Sequence, residues 1–246
     1  MYKRQGPDWN FVDPKSGATF GRSEGLAIAS LRLFEGGVLS QNGLDDPLRV
    51  DAAPLTNITP KILASVFQVN ENNPLVGLEE RAKLLNELGQ ALIRHKHMFE
   101  FGDALRPGNL YDYFLQRQEK GVLAAREILI AILKSMGEIW PDGSWVDSIA
   151  IGDAAYHEAV KRTDITDRIV PFHKLSQWMS YSLIEPLQLA GMKIIHLDAL
   201  TGLAEYRNGG LFIDTGTISL RDETEMETVH DPKSPLIVEW RALTVT

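Results

Sequence analysis

The 246-residue chain predicts a mainly α-helical fold, and three observations carry that reading. Leu84, Leu85, Leu88, Leu92 and Ile93 recur at steps of three and four, while Glu79, Glu80, Lys83 and Glu87 take the other faces. Residues 121–140 form a second long stretch, apolar on most sides, that reads as a central buried helix. No alternation of strand and helix patterns runs through the chain. The expected organisation is a single helical domain over residues 1–246. It carries an irregular segment at 1–21 and a small C-terminal antiparallel β pair within 212–246.

In chain order, residues 1–21 are polar and rich in Gly and Pro, with Trp9, Phe11 and Phe20 spaced as if to lie on a surface supplied from elsewhere. Residues 23–37 read as a helix with Ser23 as N-cap, Leu26, Ile28, Ala29, Leu31 and Leu33 as apolar surface, and Gly36-Gly37 as the stop. Residues 38–60 connect through turn signals such as Asp45-Asp46-Pro47, and Asn57-Ile58-Thr59-Pro60 opens a short helix. The helix at 78–95 follows. Arg106-Pro107-Gly108-Asn109 is a turn into residues 110–118, and Trp140-Pro141-Asp142-Gly143 ends the central helix.

Further on, a helix is expected around 153–161, then a charged connector at 162–168. Residues 170–190 make a long helix that Pro186 should bend or end. Beyond Gly216, residues 217–222 and 235–245 alternate with period two and predict the C-terminal strand pair, joined by an acidic loop.

Composition excludes several classes. With 44% hydrophobic residues the chain has material for a sizeable core. A net charge of −8 argues against a general nucleic-acid binder, since phosphate neutralisation needs clustered Lys and Arg. The absence of cysteine removes disulfides, thiolate metal sites and thiol nucleophiles. No apolar run reaches membrane-span length and the polar start lacks a signal-peptide core, so the expectation is a cytoplasmic protein without membrane partners.

Gly21-Arg22-Ser23-Glu24-Gly25 matches the G-x-S-x-G pattern of a nucleophile elbow, but no strand pattern precedes it, and Ser23 reads better as a cap. Arg22 and Glu24 remain as pocket-lining candidates. His95 and His97, two apart on a helix, point to different faces, and no metal site or cofactor motif is expected. Lys174 follows His173 at a helix start, where the macrodipole disfavours a cation unless an anion is near. Two readings stand: a solvated lysine with His173 as cap or core group, or a phosphate or carboxylate clamp with Arg106 and Arg207 as further members. Gln177 and Tyr181 share the face of His173, and Trp178 reads as core before it reads as a stacking platform. Asp198 reads as a helix cap. Glu205 is one residue too late to close a capping box with Thr201, so its carboxylate either pairs with Arg207 or another helix's cation, or acts on water or on a developing positive charge.

Residues 22–34, 106–111, 170–191 and 198–216 resemble the uracil catabolism protein 4 family, also designated domain of unknown function 1688. The resemblance covers nearly the whole chain and implies a role in pyrimidine breakdown, on a route that opens the ring of the uracil ribonucleotide and releases urea. It also implies a further N-terminal segment, so a truncated member is expected. More locally, residues 200–218 are similar to the L-T-x-x-A-D-Y-R segment of queuosine salvage proteins, N-glycoside hydrolases with a fold related to helix-hairpin-helix glycosylases. That likeness puts Glu205 at the position of the catalytic acid, with Tyr206 and Arg207 beside it. The Asp has become Glu, and Gly209 and Gly210 depart from the pattern.

The resemblances together imply an N-glycosidase with a small ribosyl or nucleotide-derived substrate, such as ribosylurea or its 5-phosphate. Glu205, Asp198 and Tyr206 would be catalytic. His173, Lys174 and Arg207 would hold phosphate or ribose hydroxyls, Trp178 or Tyr181 would form an apolar wall, and Gln177, Arg106, Arg22 and Glu24 would complete the lining. The alternatives are an amide hydrolase acting on the opened ureido chain and a non-catalytic nucleotide-binding protein of the same pathway.

Overall fold

The structure, a computed structural model, describes residues 9–141 and 143–246. It holds ten α-helices and five two-stranded pairings among those residues, so the mainly helical expectation stands. The chain divides into two compact units, residues 1–113 and 114–246.

Residues 1–8 of the expected irregular segment lie outside the described residues; the rest of it is a hairpin. Strand β1 (Asn10–Val12) pairs antiparallel with β2 (Thr19–Gly21), Phe11 opposite Phe20. The outer edge of β1 is closed by side-chain amides that act as a substitute strand. Asn73 exchanges hydrogen bonds with the backbone of Asn10, and Gln68 does the same for Val12. Trp9 and Phe11 are buried, and the Trp9 indole donates to the Phe67 carbonyl at 3.1 Å. Their surface is therefore supplied within the described chain. The turn between the strands closes on Asp13, which accepts from Ser16 and takes a two-pronged bond from Arg32 at 2.6 and 3.0 Å.

Helix α1 (Arg22–Glu35) starts directly after β2. Its cap position is Gly21, not Ser23, which already lies inside the helix. Gly25, Ala29 and Leu33 form its buried stripe. A Cβ at Gly25 would meet the Phe20 carbonyl at 2.7 Å and the Trp9 ring at 2.8 Å, so glycine there serves close packing. The G-x-S-x-G match is thereby explained without a nucleophile: the preceding strand sits in an antiparallel hairpin, and the left-handed residue is Arg22, not the serine.

Helices α2 (Ala52–Leu55) and α3 (Pro60–Val66) follow; Thr59 caps α3 by accepting from Ile62, with Pro60 in the first turn, as the sequence predicts. Helix α4 (Leu78–Arg94) matches its expected span. A Cβ at Gly89 would meet Leu55 and Thr56 at 2.8–2.9 Å, so glycine there lets α4 pack closely on α2, and Ile93 from the predicted stripe is exposed. Helix α5 (Lys96–Phe99) leads into the hairpin of β3 (Glu100–Phe101) and β4 (Ala104–Leu105), and α6 (Leu110–Leu115) carries the division between units.

In the second unit, β5 (Val122–Ala124) takes the first residues of the expected central helix, α7 (Ala125–Met136) takes its middle, and Gly137–Ile139 form a 3-10 turn after it. Hairpin β6 (Ser144–Val146) with β7 (Ile149–Gly152) is followed by β8 (Ala154–Tyr156). The helix expected around 153–161 is absent. Gly152, at φ +64°, turns the chain, and Ala154–Tyr156 pairs antiparallel with β9 (Ile169–Pro171), so a long-range ladder overrides local helix propensity. Helix α8 (Lys174–Leu189) packs on α7; Pro186 lies in its last turn. β10 (Lys193–Ile195) then returns parallel to β5.

Helix α9 (Tyr206–Asp214) and helix α10 (Pro235–Leu243) close the unit and pack on each other. The C-terminal β pair is corrected: residues 212–246 contain no strand. Pro235 in the first helical turn starts α10, and Ile237, Val238 and Arg241 fall on one helical face and are buried. The β-branched content had masked a period of 3.6. A small core of Ala155, Phe172, Ala204 and Val238 joins β8, α10 and the segments leading into α8 and α9.

Candidate functional site

The second unit brings together the starts of two helices. His173 precedes α8 in the left-handed region at φ 49°, and Lys174 is the first helical residue. A cation there needs an anion, and the protein supplies two. The Lys174 amide donates to Oδ2 of Asp153 at 3.0 Å, and its Nζ donates to Oε2 of Glu205 at 2.8 Å. The amides of Phe172 and His173 both reach the Asp153 carbonyl.

Glu205 occupies the cap position of α9, directly before Tyr206. Burial opposes its ionisation, but the Lys174 ammonium and the nearby backbone amides of Arg207 and Tyr206 outweigh it and hold the carboxyl below the usual Glu range. The side chain keeps 30% of its surface open. The result is a fixed negative charge within reach of a small molecule.

Beside it lies an ion pair that sequence reasoning missed. Arg241 of α10 forms a two-pronged bond to Asp153, 2.9 Å to Oδ1 and 2.7 Å to Oδ2, and its Nε donates to the Ala204 carbonyl at 3.1 Å. Its guanidinium lies 4.0 Å from the Phe172 ring centre and 5.0 Å from that of Tyr206. Burial works against the Asp153 charge, yet Arg241 and the Lys174 amide win and lower its pKa. One signal pointed to Arg241: an arginine set among apolar residues four after Ile237 and three after Val238. Asp153 had none, because its partner is 88 residues away.

His173 is mostly enclosed; desolvation lowers its pKa despite the Asp153 charge, and its Nδ1 is buried beside Gly152 without a hydrogen-bond partner. Gln177 and Tyr181 do share a face. Gln177 accepts weakly from the Thr201 amide at 3.4 Å and Tyr181 donates to the Thr201 carbonyl at 3.0 Å, so both hold the loop that leads to Glu205. Trp178 is 55% exposed and is not a core residue. Arg207 is exposed in the first turn of α9.

Asp198 departs from expectation. It stands exposed on a short turn, Leu197–Ala199, and does not share a helix with Glu205 or cap α9. Arg22, Glu24 and Arg106 belong to the first unit. Arg22 and Glu24 are exposed, while Arg106 donates to Oδ1 of Asn109 at 2.8 Å and stabilises its own turn. No three His, Asp or Glu side chains gather as metal ligands among the described residues. No helix among them is long and apolar enough to cross a membrane.

Comparison with known proteins adds three findings. Residues 3–246 match the family described as a protein of unknown function, DUF1688. Protein urg3 of Schizosaccharomyces pombe is 39% identical over 247 residues, which is 98% of this chain and 56% of that protein. Uracil catabolism protein 4 of Lachancea kluyveri is 37% identical over 267 residues, 98% of this chain and 60% of that protein. The chain thus spans somewhat more than half the length of these relatives.

Proposed function

Because the chain belongs to the DUF1688 family, and one relative is named for uracil catabolism, we propose that it acts in uracil catabolism as an N-glycosidase on a ring-opened uridine derivative. Ribosylurea or its 5-phosphate is the substrate class. The observation that carries the reading is the ionised, partly open carboxylate of Glu205, set at the start of α9 against Lys174.

Cleavage of a ribosyl C–N bond builds positive charge on the anomeric carbon and ring oxygen, and a fixed carboxylate lowers the energy of that state. A carboxyl held below its usual range is a weak proton acceptor, so Glu205 serves as a charge stabiliser more than as a general base. Lys174 is spent on keeping it ionised. Phosphate or ribose hydroxyls then fall to Arg207 and His173, with Tyr206 beside the reacting carbon and the exposed Trp178 as an apolar wall.

The test is incubation of the purified protein with ribosylurea and with its 5-phosphate, assaying urea and reducing sugar together. Equal release of both is expected, and Glu205→Gln should lower kcat by about 10²–10⁴-fold with the fold retained. Ammonia without reducing sugar would make the protein an amide hydrolase, and tight binding without product would make it a binding protein.

A further inference from the structure

We propose that Arg241, held in place by Asp153, is a positioning residue that keeps the Glu205 carboxylate and the Lys174 ammonium opposed. The proposal rests on the reading of Glu205 as the charge at the reaction centre, and it concerns two residues that touch no reacting atom.

Arg241 contacts both partners of the Glu205–Lys174 pair through their neighbours. On the Glu205 side, Nε holds the carbonyl of Ala204, the preceding residue, and the guanidinium face lies over the ring of Tyr206, the following one. On the Lys174 side, the guanidinium also lies over the ring of Phe172, and its two terminal nitrogens grip Asp153, which accepts the Lys174 amide. One planar group therefore engages the residue on either side of the carboxylate, Ala204 by its carbonyl and Tyr206 by its ring, and the first turn of the helix that presents the ammonium. The residue is only 6% exposed.

A largely buried ion pair is a costly way to join helix α10 to the turn before β8, since apolar residues of similar volume often do such work at equal or better stability. What an apolar residue cannot supply is direction. The guanidinium uses three nitrogens in one plane for three acceptor atoms while two aromatic rings lie against it, a set of constraints that a lysine ammonium cannot reproduce. The salt bridge between Lys174 and Glu205 spans 31 residues and joins the starts of α8 and α9, so its geometry depends on that cross-brace.

The experiment compares Arg241→Lys and Asp153→Asn with the parent chain by three readouts: thermal unfolding, the NMR titration of a carboxyl-¹³C-labelled Glu205 resonance assigned with Glu205→Gln, and ribosylurea turnover. Expected in a folded variant is a rise of the Glu205 midpoint by about one pH unit as the Lys174 contact loosens. kcat should fall at least about tenfold with KM within about twofold, the pattern of a lost transition-state interaction. If Arg241→Lys does not fold, the isosteric Asp153→Asn decides. An unmoved Glu205 midpoint in a folded variant overturns the proposal, as does failure of both variants to fold, which would make the pair purely architectural. A shifted midpoint in a protein whose parent form turns over no ribosylurea would retain the positioning role and refute the glycosidase reading.

Discussion

Gly209→Ala should be one of the most damaging single-methyl additions in the second unit. In α9 the indole of Trp240 lies directly over Gly209, where an added Cβ would fall inside the ring, and Trp240 Nε1 donates to the Tyr206 carbonyl at 3.0 Å. The methyl forces the indole out. The lost hydrogen bond costs about 1 kcal/mol net. Re-exposing roughly 100 Å² of indole costs about 2.5 kcal/mol more. The better helix propensity of alanine returns about 1 kcal/mol, leaving a net loss near 2.5 kcal/mol. Gly210→Ala is the control: its Cβ would meet Trp240 at 3.6 Å, an ordinary contact, so it should be neutral or gain up to about 1 kcal/mol. Thermal unfolding followed by circular dichroism should place the two variants about 10 °C apart. Equal melting temperatures would refute the reasoning, and a higher one for Gly209→Ala would show that the α9–α10 packing is wrong.

Lys174→Met removes the cation that offsets the burial of Glu205, so the acid limb of any pH–rate profile should move to higher pH; an unchanged limb would detach Lys174 from the ionisation of Glu205. In the first unit, buried Asn109 donates to the carbonyls of Phe99 and Ala104 at 2.8 Å each, and Asn109→Ala should cost about 2–3 kcal/mol by denaturant unfolding, whereas a loss below about 0.5 kcal/mol would contradict the hydrogen-bond account. The folded-state pKa of Asp153 is lowered, so the unfolded chain binds more protons in acid. The stability this group contributes is complete above the ordinary Asp range and fades as pH falls below about 4. Melting temperatures of the parent and Asp153→Asn should therefore stay apart by a constant amount near neutral pH and draw together as pH falls below about 4, and curves that stay parallel there would show that the charge of Asp153 is not what the fold uses.

Part of this structure was readable from residue order. Helices α1, α4 and α8 announce themselves by apolar steps of three and four, and Thr59-Pro60 marks the start of α3 by its own cap chemistry. The strands are two to four residues long, too short for a period-two signal to rise above chance, so the leading hairpin and β8 went unseen. A comparably short alternation, Val238–Ala242, let residues 235–245 pass for a strand when a helix was there. Trp178 misled for another reason: aromatic size predicts burial on average, and an exposed aromatic in one helix face carries no local mark.

What residue order determined about the site was its chemistry. A lysine at a helix start calls for an anion, and a glutamate that closes no capping box calls for a cation; both demands are local electrostatics, and they proved to be answered by each other. Which residues meet was left to the tertiary structure. The hydrogen bond from Lys174 to Glu205 crosses 31 residues and the grip of Arg241 on Asp153 crosses 88, and such pairings follow from how β8, α8, α9 and α10 share one core. Side-chain demand is written locally, but its satisfaction depends on packing that no window of the chain contains.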